Sequence, residues 1–104
     1  MAGIRPLNAA VKAEVTADYN GLPHARITDT DGEAHVFTAG LPELELWFMA
    51  LGGRITRQPA PKDSGVVLWT LHTDTDHGHG APVHVHALAM DTDQPDADIA
   101  DAVA

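Results

Sequence analysis

The chain has 104 residues, 44% of them hydrophobic, and a net charge of −9 with its seven histidines neutral. That length suits one domain, which can bury roughly two-thirds of its unfolded surface without a covalent staple. With no cysteine there is no disulfide framework, thiolate zinc ribbon or thiol nucleophile, and the acidity has the wrong sign for nonspecific binding to phosphate backbones.

No apolar stretch approaches the length of a membrane span, and Met1-Ala2-Gly3-Ile4-Arg5-Pro6 lacks the apolar run of a signal peptide, so the sequence reads as cytoplasmic, with no membrane partner. Ten acids face six bases up to Met90, and the other five acids (Asp91, Asp93, Asp96, Asp98 and Asp101) fall in the last fourteen residues. Residues 1–90 are expected to form a single small α+β domain, and 91–104 an acidic, disordered tail. Arg54, Arg57 and Lys62 make only a weak basic patch, so nucleic acid is not an expected partner.

In chain order, Ala10 to Asp18 mixes apolar and polar residues in near alternation and reads as an edge strand. Asn20-Gly21 follows as a hairpin turn signal. His24 to Thr28 reads as a second strand, Asp29-Thr30-Asp31-Gly32 as a turn, and Glu33 to Thr38 as a third, completing a three-stranded meander. Asp29-Thr30-Asp31-Gly32-Glu33 is similar to the opening of a calcium loop, but the later ligand positions are missing and a turn is expected.

Gly40-Leu41-Pro42-Glu43 marks a helix start, with Leu41, Leu44, Phe48 and Leu51 at helical spacing and Gly52-Gly53 as the stop. Trp47 and Phe48 are its core anchors. Arg54 to Gln58 is a short strand, Pro59 to Gly65 a loop, and Val66 to Thr73 and Pro82 to Met90 the two strongest strands. The whole predicts an antiparallel or mixed sheet of five to six strands, ordered β-β-β-α-β-β-β, with one short helix packed on a face. Thr28-Asp29-Thr30-Asp31 recurs as Thr73-Asp74-Thr75-Asp76, and each copy precedes a strand containing His-Val (His35-Val36, His84-Val85).

Five histidines and two aspartates fall between His72 and His86. Imidazole and carboxylate are usual ligands of borderline divalent metals. Alternate strand residues share a face, so His84 and His86 point the same way, and His72 joins them if it pairs opposite His84. Thr70 would then face His86, with Leu68 facing Leu88 and Val66 facing Met90. The opposite face, with Val67, Trp69, Leu71, Val83, Val85, Ala87 and Ala89, would be core. His72, His84 and His86 are the candidate metal ligands that a sheet could hold rigidly. Asp74, Asp76, His77 and His79 are loop auxiliaries, and zinc or another divalent transition metal is the candidate cofactor. A weakly binding exposed loop and a protonation switch near pH 6 are the other readings of the cluster. His24 and His35 read as surface or half-buried structural residues.

Gly78, His84, Val85, His86 and Asp91 resemble the first motif of the cupins, in which two histidines and an acid bind a metal inside a β-barrel. The resemblance spans fourteen residues and implies metal ligation by His84 and His86. Asp91 stands where that family has Glu, its next glycine is missing, and too few residues follow for the second motif.

No nucleophile elbow, phosphate loop or dinucleotide fingerprint is present, so no catalytic residues are assigned. Two functions follow. The first is a small acidic non-enzymatic accessory or interaction module that exposes the acidic tail and the histidine hairpin, able to self-associate or bind a protein partner through a sheet edge. The alternative is a divalent-metal-binding protein or small metalloenzyme using the histidine-rich hairpin 72–86.

Overall fold

A computed structural model describes residues 9–60, 65–75 and 80–90. Its elements are α1 (Ala9–Asn20), β1 (Arg26–Thr30), β2 (Glu33–Phe37), α2 (Leu41–Leu51), β3 (Arg54–Ala60), β4 (Val66–Asp74) and β5 (Pro82–Met90). The strands form one open mixed sheet in the order β1-β2-β5-β4-β3. All neighbours are antiparallel except β2 and β5, which run parallel. The fold is α+β, as the sequence predicts, and the expected helix is α2.

The first element corrects the sequence reading. Residues 10–18 are not an edge strand but the body of α1, so a second helix replaces the first strand of the expected meander. Alanine is the best helix former, and the four alanines of Ala9–Asn20 outweigh a weak alternation. Ala9, Ala13 and Ala17, spaced four apart, are the residues it buries. Asn20-Gly21 closes the helix instead of turning a hairpin. Gly21 has φ +65°, Leu22 N–H donates to Ala17 O at 2.8 Å, and Gly21 N–H donates to Asp18 O at 3.4 Å. That paired pattern is a Schellman cap. At the other end Ala9 N–H donates to Asp29 Oδ2 at 3.0 Å, tying the helix start to β1.

The two-residue turn between β1 and β2 uses Asp31 (φ 54°) and Gly32 (φ 80°), the double positive φ that matches strand twist in a tight hairpin. The calcium-loop likeness is therefore a turn. The core is one cluster on one side of the sheet: Ala34 and Val36 of β2, Ile55 of β3, Val67, Trp69 and Leu71 of β4, and Val83, Val85 and Ala87 of β5. The buried stripes of α1 and α2 cover it, the latter with Leu41, Leu44, Trp47 and Leu51. An open sheet covered in this way is not the closed barrel that the cupin likeness implies. No helix among the described residues is long and apolar enough to cross a membrane.

The two tryptophans are satisfied differently. Trp47 is fully buried, and its Nε1–H donates to Pro23 O at 2.8 Å. Trp69 is 5% exposed and lies under the Arg57 guanidinium, 5.1 Å from ring centre, but its Nε1–H has no acceptor among the described residues. Trp47→Phe deprives the half-buried Pro23 carbonyl of its donor, while Trp69→Phe removes an orphan. In chemical denaturation Trp47→Phe is expected to lose about 1 kcal/mol more than Trp69→Phe. The alanine stripe makes a second expectation. Ala13→Leu should cost about 1–3 kcal/mol by overpacking, while Val15→Leu, at a position 60% exposed, should stay within about 0.5 kcal/mol. Equal effects would place α1 wrongly on the sheet.

Candidate functional site

The sheet side opposite the helices carries the histidines. His72 of β4 lies directly across from His84 of β5, with Thr70 opposite His86, Leu68 opposite Leu88 and Val66 opposite Met90, which is the register assumed from the sequence. The parallel neighbour β2 adds His35 beside His84 and Phe37 beside His86. One row across the face therefore reads Arg54, His72, His84, His35, Thr28, and the next reads Thr56, Thr70, His86, Phe37, Arg26.

The four rings touch. His72 and His84 meet edge to face at 5.1 Å between centroids. His35 stacks on His84 at 5.1 Å and on His86 at 5.2 Å. Two hydrogen-bonded chains run through them. In the first, His84 Nε2 lies 2.6 Å from Glu33 Oε1, His84 Nδ1 lies 2.9 Å from His72 Nδ1, and His72 Nε2 lies 2.9 Å from Thr56 Oγ1. In the second, His86 bonds His35 Nδ1 through Nε2 at 2.9 Å and Thr70 Oγ1 through Nδ1 at 3.1 Å.

The first chain has a direction. The bond from His84 and that ring's positive charge both hold the Glu33 carboxyl below its ordinary value, so Glu33 accepts from His84 Nε2–H. When both rings are neutral, His84 Nδ1 is then a bare lone pair that accepts from His72 Nδ1–H. The far His72 nitrogen accepts from the Thr56 hydroxyl. Burial pushes the His72 imidazole down, helped by charge on His84 and Arg54. His86 is pushed down to about 4, first by burial and then by charge on His35, His84 and His72.

The candidate ligands divide. His72, His84 and His86 share one half-buried surface. Asp74 lies one row further along it, and its Oδ2 accepts from Gly80 N–H at 2.7 Å, closing the β4–β5 connection. Asp76, His77 and His79 fall outside the described residues. No group of three or more His, Asp or Glu side chains among the described residues is placed to hold a metal ion. His86 turns to His35 and Thr70, while His72 and His84 face each other. Beside His72 a cleft of about 560 Å³ opens between Gly53, Arg54, Asp74, Gly80 and Pro82.

Sequence reasoning missed His35 and Glu33. The signal was the shared His-Val dipeptide, since His35-Val36 and His84-Val85 lie side by side in the sheet. Set against protein-family models, curated proteins and solved structures, the chain matches none.

The shift on His86 has a sign. Its ring takes a proton near pH 6.5 when unfolded but only near pH 4 when folded, so between those values the unfolded state binds more protons. Stability from this group is complete above about pH 6.5 and is lost as pH falls towards 4. The melting temperature should therefore drop between pH 7 and 4.5, and His86→Gln should flatten that drop. An unchanged slope in the variant would remove His86 as the cause.

Proposed function

We propose that this chain is a small non-enzymatic interaction module that associates with a second copy of itself through the open sheet face. The observation that carries this reading is one-sided coverage. Both helices lie on one face, and no described element covers the other, where Leu88 is 59% and Met90 55% exposed. A single large exposed apolar residue is ordinary on a protein surface, whereas adjacent ones beside half-buried rings make a patch.

Charge favours a second copy as the occupant. The ionisable residues of this face, histidines aside, are Arg26, Arg54, Glu33 and Asp74, which sum to zero on a chain of net −9. Two such chains repel overall, and the described residues of this face add nothing to that repulsion at neutral pH. Sheet faces stack about 10 Å apart, close enough for the Leu68, Leu88 and Phe37 side chains of two copies to interdigitate. Five strands at about 4.8 Å spacing, five to nine residues long at about 3.3 Å per residue, give a face of roughly 400–700 Å², below the roughly 800 Å² per partner of a standard interface. The association is accordingly weak and concentration-dependent.

Sedimentation equilibrium from about 10 μM to 1 mM should show a reversible monomer–dimer equilibrium. Leu88→Asp places two like charges in the proposed contact and should move the protein to monomer. Leu46→Asp, on an exposed position of α2 (50% exposed), should leave the dimer intact. A monomer throughout the range, or a dimer broken by Leu46→Asp and not by Leu88→Asp, would overturn the reading.

A further inference from the structure

We propose that His72 and His84 form the protein part of a binding site for a divalent transition-metal ion, zinc, nickel or copper, held between their two Nδ1 atoms. The site lies on the same sheet face as the proposed dimer contact, but it rests on the His72–His84 geometry alone and not on that contact.

The first ground is distance. The two Nδ1 atoms face each other 2.9 Å apart across directly paired positions of β4 and β5. Two imidazole nitrogens at about 2.0–2.1 Å from a common ion lie about 2.9 Å apart at a right angle and about 3.3 Å apart at a tetrahedral one. An ion therefore fits after the rings part by a few tenths of an ångström and turn so that both Nδ1 lone pairs converge on it, with no change of strand register.

The second ground is the outer shell. A metal-bound histidine typically has its other ring nitrogen donating to a carboxylate, a carbonyl or water, which fixes the tautomer and raises basicity. Both far nitrogens are already held here, His84 Nε2 by Glu33 Oε1 at 2.6 Å and His72 Nε2 by Thr56 Oγ1 at 2.9 Å. His84 needs no proton rearrangement to present its lone pair. His72 does: its proton moves from Nδ1 to Nε2, and the Thr56 hydroxyl turns from donor to acceptor. The ring stays neutral and no proton leaves the protein.

The third ground is surroundings. Glu33 and Asp74 set two carboxylates near the pair against the single charge of Arg54. A cleft lined by His72 and Asp74 opens beside the first of the two rings. Imidazole ligands on a chain without cysteine select zinc, nickel or copper over magnesium or calcium. Two protein ligands leave the remaining coordination positions to water or a small anion, so the bound ion is exchangeable.

The test uses the full chain without an affinity tag, stripped with EDTA and titrated calorimetrically with zinc chloride and nickel chloride. One ion should bind per chain. His72→Gln/His84→Gln should weaken binding at least tenfold, Glu33→Gln about tenfold through the outer shell, and His77→Gln/His79→Gln less than threefold. Should the double variant of the paired histidines fail to fold, long-range proton–nitrogen spectra of the wild-type imidazoles decide. Zinc should shift the Nδ1 resonances of His72 and His84 and leave their Nε2 hydrogen bonds in place. The proposal is overturned if neither ion binds at about 1 mM, if His77→Gln/His79→Gln removes binding that His72→Gln/His84→Gln retains, or if zinc shifts other rings instead.

Discussion

The parallel pairing of β2 with β5 joins two locally built halves, the β1–β2 hairpin with α1 on one side and the β3–β4–β5 meander on the other. Four residue pairs make the seam, Ala34 to Phe37 against Val83 to His86. Ala34, Val36, Val83 and Val85 meet on one side of it, all buried, and form the centre of the core. On the other side the same seam sets His35 against His84 and places Glu33 within reach of the His84 ring. The core and the histidine surface thus depend on one register. A slip by one residue would send valines out and imidazoles in.

That shared register explains why the imidazoles are half-buried rather than free. Each is flanked by neighbours from two strands, and each ring pays part of its hydration for contact with another ring or a threonine hydroxyl. At His72 and, most strongly, at His86 burial acts against the charged form, and at His86 it is the first cause of a value near 4. A face bare of helices is consequently less polar at neutral pH than its residue types suggest. The same property suits it both to self-association and to presenting lone pairs to a metal ion.

Local pattern made much of this legible. Val66 to Thr73 and Pro82 to Met90 alternate with period two, which fixed the face that each residue takes; the His72–His84 register was an assumption, since a slip of two residues keeps the same faces, and the structure has that register. Leu41 to Leu51 carried its own start and stop in Pro42 and Gly52-Gly53. Residues 10–18 were not legible as helix because alanine counts as apolar in an alternation yet is above all a helix former, and Asn20-Gly21 serves a tight hairpin and a helix cap equally well. His35 and Glu33 were missed for a different reason, with only the repeated His-Val dipeptide to hint at the pairing. A parallel contact between strands about fifty residues apart leaves no trace in local spacing.

β5 is the central strand of the sheet and the last strand in chain order. Until residues 82–90 have been synthesised, β2 and β4 each expose an unpaired edge, and the two halves have no hydrogen-bonded connection within the sheet. The emerging chain therefore holds two incomplete sheets, each open to pairing with another polypeptide, and closes them in one late, non-local step. A chain cut short before residue 82 would have lost the strand that makes them one sheet. Synthesis of residues 82–90, rather than any local folding event, sets the earliest moment at which the whole sheet can exist.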